Sequence, residues 1–161
     1  MQQMKYRLIL FALFAAILAS AQERSATPLP TQNSNPKTQN STRAVVVGIS
    51  DYADERIPDL QYAHKDAEAF AVYLRAPAGG SLPDDRIVVL TNSAATAGKI
   101  IAALEWLIAE SVAGDRVLLY FSGHGDVERV TKFQRGYLLA YDAPGTTYAA
   151  GGSLPVGLFP R

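Results

Sequence analysis

Between Arg43 and Asp142 the apolar residues gather in short runs separated by two amphipathic stretches. "RAVVVGIS" (43–50), "DRIVVL" (85–90) and "RVLLYFS" (116–122) are short apolar runs bounded by polar or turn residues, the pattern of strands buried on both faces. "GYLLAYD" (136–142) is a fourth run of the same kind. Between the first two, Leu60, Ala63, Ala67, Phe70 and Leu74 recur at helical spacing, and "APAGG" closes the element. "TAGKIIAALEWLIAES" (96–111) predicts a second helix, with Thr96 as its cap and Ile100, Leu104, Leu107, Ile108 and Ser111 on one side. Ala113-Gly114-Asp115 ends it.

The predicted order is therefore β-α-β-α-β-β. Strands that alternate with helices make an α/β fold, a mostly parallel sheet with helices on both faces and right-handed crossovers. In such sheets the functional crevice lies beyond the carboxyl ends of the strands.

The first forty-two residues follow neither period. Lys5 and Arg7 precede an apolar run from Leu8 to Ala19, and Ala19-Ser20-Ala21 supplies the small residues a signal peptidase accepts. Residues 1–21 are expected to be a secretory signal, cleaved after Ala21, which implies a secreted or periplasmic product. The run is too short for a stable membrane span, which takes about 20 apolar residues. Residues 22–42 are polar, contain three prolines and predict a flexible linker. The folded domain is expected over 43–161.

Composition then narrows the chemistry. The chain has 15 basic and 15 acidic residues and no basic stretch, so nucleic-acid binding has no electrostatic footprint. It has no cysteine, so the disulfides that usually accompany export cannot form. With two histidines, scattered carboxylates and no H-x-x-x-H, no metal site is expected, and no cofactor. Between His124 and Asp142 the only other acids are Asp126 and Glu128, too few for a calcium ion's six to eight oxygens.

The chemically loaded stretch is "VLLYFSGHGD" (117–126), which puts His124 between two glycines just past the third strand. A histidine there can exchange a proton near neutral pH. Gly123 and Gly125 let the backbone turn sharply, and they leave the Gly125 N–H free to face a developing oxyanion. An ordinary strand-to-loop turn explains the same four residues, and from them alone both explanations stand. Ser122 is badly placed to be activated by a histidine two residues on, and no residue that would orient the ring is evident nearby. His64, beside Lys65, is expected to be a solvated surface residue. Asp66 lies in the first turns of its helix, at the same sheet end as His124. The helix dipole suffices to explain it, although it sits about 60° from the centre of the apolar stripe at 100° per residue.

Taken together, "RAVVVGISDY", "LQYAHKDAEAFAVYL", "DRVLLYFSGHGD" and "GYLLAYDA" resemble the caspase-like cysteine peptidases, the clan of caspases, metacaspases and bacterial caspase-domain proteins. The resemblance runs from Arg43 to about Ala143 and includes the spacing between blocks. It implies the three-layer caspase-haemoglobinase fold, truncated here after about four strands. It also implies a cysteine-type endopeptidase acting on peptide or protein substrates after basic residues. His124 matches the catalytic histidine that serves a cysteine thiolate, and Gly125 the oxyanion-hole amide. Asp66 matches the aspartate that selects Arg or Lys in the S1 pocket, and Ser122 a residue of that pocket's wall.

The departure from the family is the nucleophile. In caspases the histidine lies about 50 residues upstream of the cysteine, which puts the cysteine near position 174 by that spacing. The expected consequence is a chain inactive by itself, representing the amino-terminal portion of such an enzyme. Truncation also leaves a lateral sheet edge uncovered, which favours aggregation or pairing and a marginal fold. Two other functions compete: a non-catalytic scaffold or decoy that pairs with a caspase-like homologue, and an unrelated doubly wound ligand-binding domain. The latter lacks a G-x-G-x-x-G loop after the first strand, where "GISDY" stands.

Overall fold

The computed structural model describes residues 41–129 and 131–158. The expected signal peptide and nearly all of the expected linker lie outside these residues. The Ser41 N–H donates to the Asp115 carboxylate at 2.9 Å. Strand β1 (Thr42–Gly48) starts one residue ahead of the predicted Arg43.

The order is β1, α1 (Ala63–Arg75), β2 (Ile87–Thr91), α2 (Ala97–Ala109), β3 (Arg116–Ser122), then β4 (Gly125–Val127), β5 (Gly136–Leu139) and β6 (Ser153–Pro155). The first three strands form a parallel sheet in the order β2-β1-β3, so each helix is a crossover.

Alternation along β1 sorts the two helices onto opposite faces. Val45, Val47 and Ile49 point into a cluster with Ile100, Ala103 and Leu107 of α2, while Ala44 and Val46 pack with Ala67 and Leu74 of α1. Gly48 lies on the α1 side because nothing larger fits: a Cβ there would sit 2.4 Å from both the Ala63 carbonyl oxygen and the Ala67 Cβ. The result is the helix-sheet-helix sandwich the strand pattern predicts.

Thr96 caps α2 as expected, its hydroxyl accepting the Lys99 N–H at 3.3 Å. Of the predicted inner face of the second helix, Ile100, Leu107 and Ser111 are buried and Leu104 packs against the core, and Ile108 alone departs from it. Ala97, Ile100, Ala103 and Leu107 are inside, and Ile108 is 59% exposed.

The predicted fourth strand does not extend the parallel sheet. Gly136–Leu139 is the central strand of a separate antiparallel sheet, β4-β5-β6. The reason is connectivity: a parallel neighbour requires a crossover, usually helical, of a dozen or more residues. The chain between β3 and β5 is instead spent on β4 and a hairpin loop. Tyr137, Leu139 and Leu154 carry this small sheet into the α2-side core. Residues 140–142, expected as strand, form a turn. Among the described residues β3 pairs only with β1, which leaves its outer edge without a strand.

Candidate active site

The carboxyl ends of β1 and β3 lie in register, Gly48 opposite Ser122, and the Ile49 N–H extends the pairing to the Ser122 carbonyl at 2.9 Å. Past this point β3 turns through Gly123 into His124. Three bonds from distant parts of the chain then hold His124. Its main-chain N–H donates to the Tyr52 hydroxyl at 2.8 Å, and its carbonyl accepts the Leu139 N–H at 2.9 Å. Its ring Nε2 lies 2.7 Å from the Pro58 carbonyl oxygen. The Tyr52 ring tilts against the imidazole with centroids 5.3 Å apart.

A carbonyl oxygen only accepts, so Nε2 carries the proton. The neutral ring therefore keeps its lone pair on Nδ1, and no described residue hydrogen-bonds that atom. A half-buried imidazole with one nitrogen pinned and the other free is arranged to take a proton there and return it. The Pro58 carbonyl is the orienting group that local sequence did not reveal.

Gly125 opens β4 opposite Leu138. The bonds from Leu139 N–H to His124 C=O and from Glu128 N–H to Arg135 C=O set the ladder's phase, placing Gly125 and Leu138 at a non-hydrogen-bonded pair. The Gly125 N–H consequently points away from β5 and is not consumed by the sheet.

Ser122 is half-buried; its carbonyl is committed to Ile49, and its hydroxyl makes no hydrogen bond to a described residue. Asp66 is exposed in the first turn of α1, at the sheet end where His124 lies. Its main-chain N–H donates to the Tyr62 carbonyl at 2.8 Å, and its carboxylate makes no ion pair with a described residue. His64 corrects its expectation. It is half-buried, with Nδ1 2.7 Å from the Oγ of Ser50, a side chain only 1% exposed. The same Oγ accepts the His64 N–H at 3.2 Å.

The loop that carries Tyr52 and Pro58 is itself stapled. The Asp54 carboxylate takes the Arg56 side chain through Nε at 2.8 Å and Nη2 at 2.5 Å, and accepts the Gly145 N–H at 2.8 Å. The Arg56 hydrogen bonds, then that of Gly145, hold its carboxyl well below the usual carboxylate range. The Ala53 N–H donates to the Tyr141 carbonyl at 2.9 Å, beside the Asp142 carboxylate that accepts the Ala97 N–H at the start of α2. On the other flank the Tyr148 hydroxyl donates to Asp126 at 2.6 Å. That bond lowers the Asp126 carboxyl and raises the Tyr148 phenol. Burial raises the Tyr52 phenol, against the lowering effect of the bond it accepts from His124. Sequence reasoning assigned no role to Tyr52, Pro58 or Asp54. The only signal was the presence of Tyr52 in "GISDY".

A cavity of about 780 Å³ lies at the other end of the sheet, where β1 and β3 begin, lined by Phe70, Leu82, Arg86 and Arg116. It has no part in the His124 arrangement. Among the described residues no three His, Asp or Glu side chains converge to hold a metal ion, and no helix is long and apolar enough to cross a membrane.

Residues 41–155 match the peptidase C14 caspase domain, and the chain belongs to this family of cysteine peptidases. It is 31% identical over 94 residues to metacaspase III c of the diatom Phaeodactylum tricornutum (strain CCAP 1055/1), a match that covers 56% of this chain and 27% of the relative. The chain thus spans about a quarter of that metacaspase. Its fold is similar to the crystal structure of protein GSU0716 from Geobacter sulfurreducens, with a TM-score of 0.55 and 21% identity over 72% of this chain and 42% of the other.

Proposed function

We propose that this chain supplies the histidine half of a caspase-like endopeptidase site that cleaves peptide bonds after basic residues. The observation that carries the proposal is the His124 imidazole, pinned at Nε2 by Pro58 and, among the described residues, without a partner at Nδ1, beside a Gly125 N–H that the β4–β5 ladder does not use. A thiolate placed near that nitrogen attacks the scissile carbonyl while the histidine moves the proton between thiol and leaving amine. The Gly125 N–H donates to the oxyanion that forms. Asp66 supplies the carboxylate for a P1 Arg or Lys, and Ser122 the neighbouring wall. The family works through a cysteine and this chain has none, so alone it is inactive as a peptidase. Residues 1–21 act as an export signal in the same proposal, which places the product in the periplasm or outside the cell.

The experiment is to read the gene beyond codon 161, express what it encodes, and assay fluorogenic peptides with Arg, Lys or Asp at P1. Hydrolysis after Arg or Lys that needs both a downstream cysteine and His124 is the expected result. Hydrolysis confined to Asp overturns the specificity, and a cysteine-free product without hydrolysis overturns the peptidase. In that last case a second function gains: a non-catalytic module that pairs with a caspase-like homologue, favoured by the open outer edge of β3.

A further inference from the structure

We propose that Tyr52 is the positioning residue for His124, gripping its main chain and its ring together so that the imidazole keeps its proton on Nε2. The inference rests on the reading of His124 as the proton-transfer group and adds what sets the state of that group.

Tyr52 is 8% exposed, yet its hydroxyl is spent on one main-chain N–H, that of His124, at 2.8 Å. No described residue other than Tyr52 takes this N–H, and without the phenol it would be a half-buried orphan. The same tyrosine ring packs on the imidazole, with centroids 5.3 Å apart. Six residues further on, the Pro58 carbonyl takes Nε2. One short loop therefore fixes both ends of the histidine, and a displacement of that loop moves both contacts together.

The loop has little freedom to move. Ala53 is tied to Tyr141, the Ile57 N–H donates to the Asp54 carbonyl at 2.9 Å, and the Asp54 carboxylate is tied to Gly145. From the other side Gly123 leaves the space the phenol occupies: a Cβ there would lie 3.0 Å from the Tyr52 hydroxyl oxygen. A side chain before His124 would therefore press on the tyrosine hydroxyl, and on the Phe121 ring 3.1 Å away. A purely structural tyrosine would fill the core and leave the tautomer of His124 untouched.

The test uses the untagged chain, ¹⁵N-labelled, with long-range ¹H–¹⁵N correlations of its two imidazoles followed through pH. In the Tyr52→Phe variant, which keeps the ring, His124 is expected to lose its Nε2–H bias toward an even mixture of tautomers. The His64 signals, held by Ser50 elsewhere, should stay in place. An unchanged tautomer at His124 in a folded variant overturns the proposal. Should the variant unfold, which the His64 signals report, Gly123→Ala decides in its place by pressing on the hydroxyl with the phenol retained. A moved His124 then supports the proposal, and an unmoved one overturns it. No nucleophile enters these measurements, so their failure is separate from failure of the peptidase assay.

Discussion

The Nε2 atom of His124 lies 2.7 Å from the carbonyl oxygen of Pro58, sixty-six positions earlier in the chain. A main-chain carbonyl in this position fixes the ring's orientation and its tautomer. It does so without adding charge. In any product of the gene that supplies a cysteine, His124→Ala is expected to lower hydrolysis of Arg and Lys peptides by about 10²–10⁴-fold, the usual contribution of positioned proton transfer. Steady-state kinetics with the variant folded, by circular dichroism, measures it.

Asp66 makes no ion pair with a described residue, so its removal costs the fold little. Asp66→Asn is expected to shift stability by no more than about 0.5 kcal/mol, as for other exposed positions. In the same product it should raise KM for Arg and Lys substrates and leave any activity on uncharged P1 residues unchanged. Thermal unfolding and a P1 substrate series read the two effects side by side.

Gly48 faces α1 where a Cβ would overlap the Ala63 carbonyl and the Ala67 Cβ. Gly48→Ala should therefore push helix from sheet and destabilise by about 1–3 kcal/mol, the usual cost of overpacking. Urea unfolding, compared with the harmless Gly98→Ala on the open side of α2, where a Cβ meets nothing within 4 Å, gives the difference.

The carboxyls of Asp54 and Asp126 are depressed in the fold, the first by Arg56 and the second by Tyr148. Burial alone would raise Asp115, but the Ser41 and Val112 N–H bonds and Arg43 outweigh it and leave it lowered. In this range the unfolded chain binds more protons than the folded one. Stability is thus fully present above the unfolded value of about 4 and falls as pH drops toward the folded values. Tyr52 and Tyr148 act in the opposite sense. Their raised phenols contribute stability below about pH 10 that is lost as pH climbs through their folded values. Urea midpoints across the acid and alkaline ranges should fall at both ends, and Tyr148→Phe should flatten part of each fall.

The parallel sheet and its two helices were legible because burial on both sides leaves uninterrupted runs such as Val45-Val46-Val47, and because Thr96 carries its own capping signal. The small sheet was not. β4 and β6 are three residues each, and a strand of that length has no period to detect. Gly136–Leu139 showed as a strand, but its sheet depended on the missing crossover. Ile108 was expected inside because apolar type says nothing about where alanines permit closer approach. Ala97 and Ala103 take the core side of α2 and leave Ile108 outside.

The site was legible in one half only. His124 and Gly125 announce themselves as adjacent residues at a strand end, whereas Tyr52 and Pro58 meet His124 through the fold, from 72 and 66 positions away. His64 misled for the same reason, since its partner Ser50 lies fourteen residues back, across the loop between β1 and α1.

The most direct test of the account is the state of the His124 imidazole in the unaltered chain near pH 8, read from its ¹⁵N shifts. The expected result is the proton on Nε2 and a bare Nδ1, ready to serve a thiolate. A proton on Nδ1 would set a lone pair against the Pro58 carbonyl, and it would contradict both the pinning of the ring and the role drawn from it.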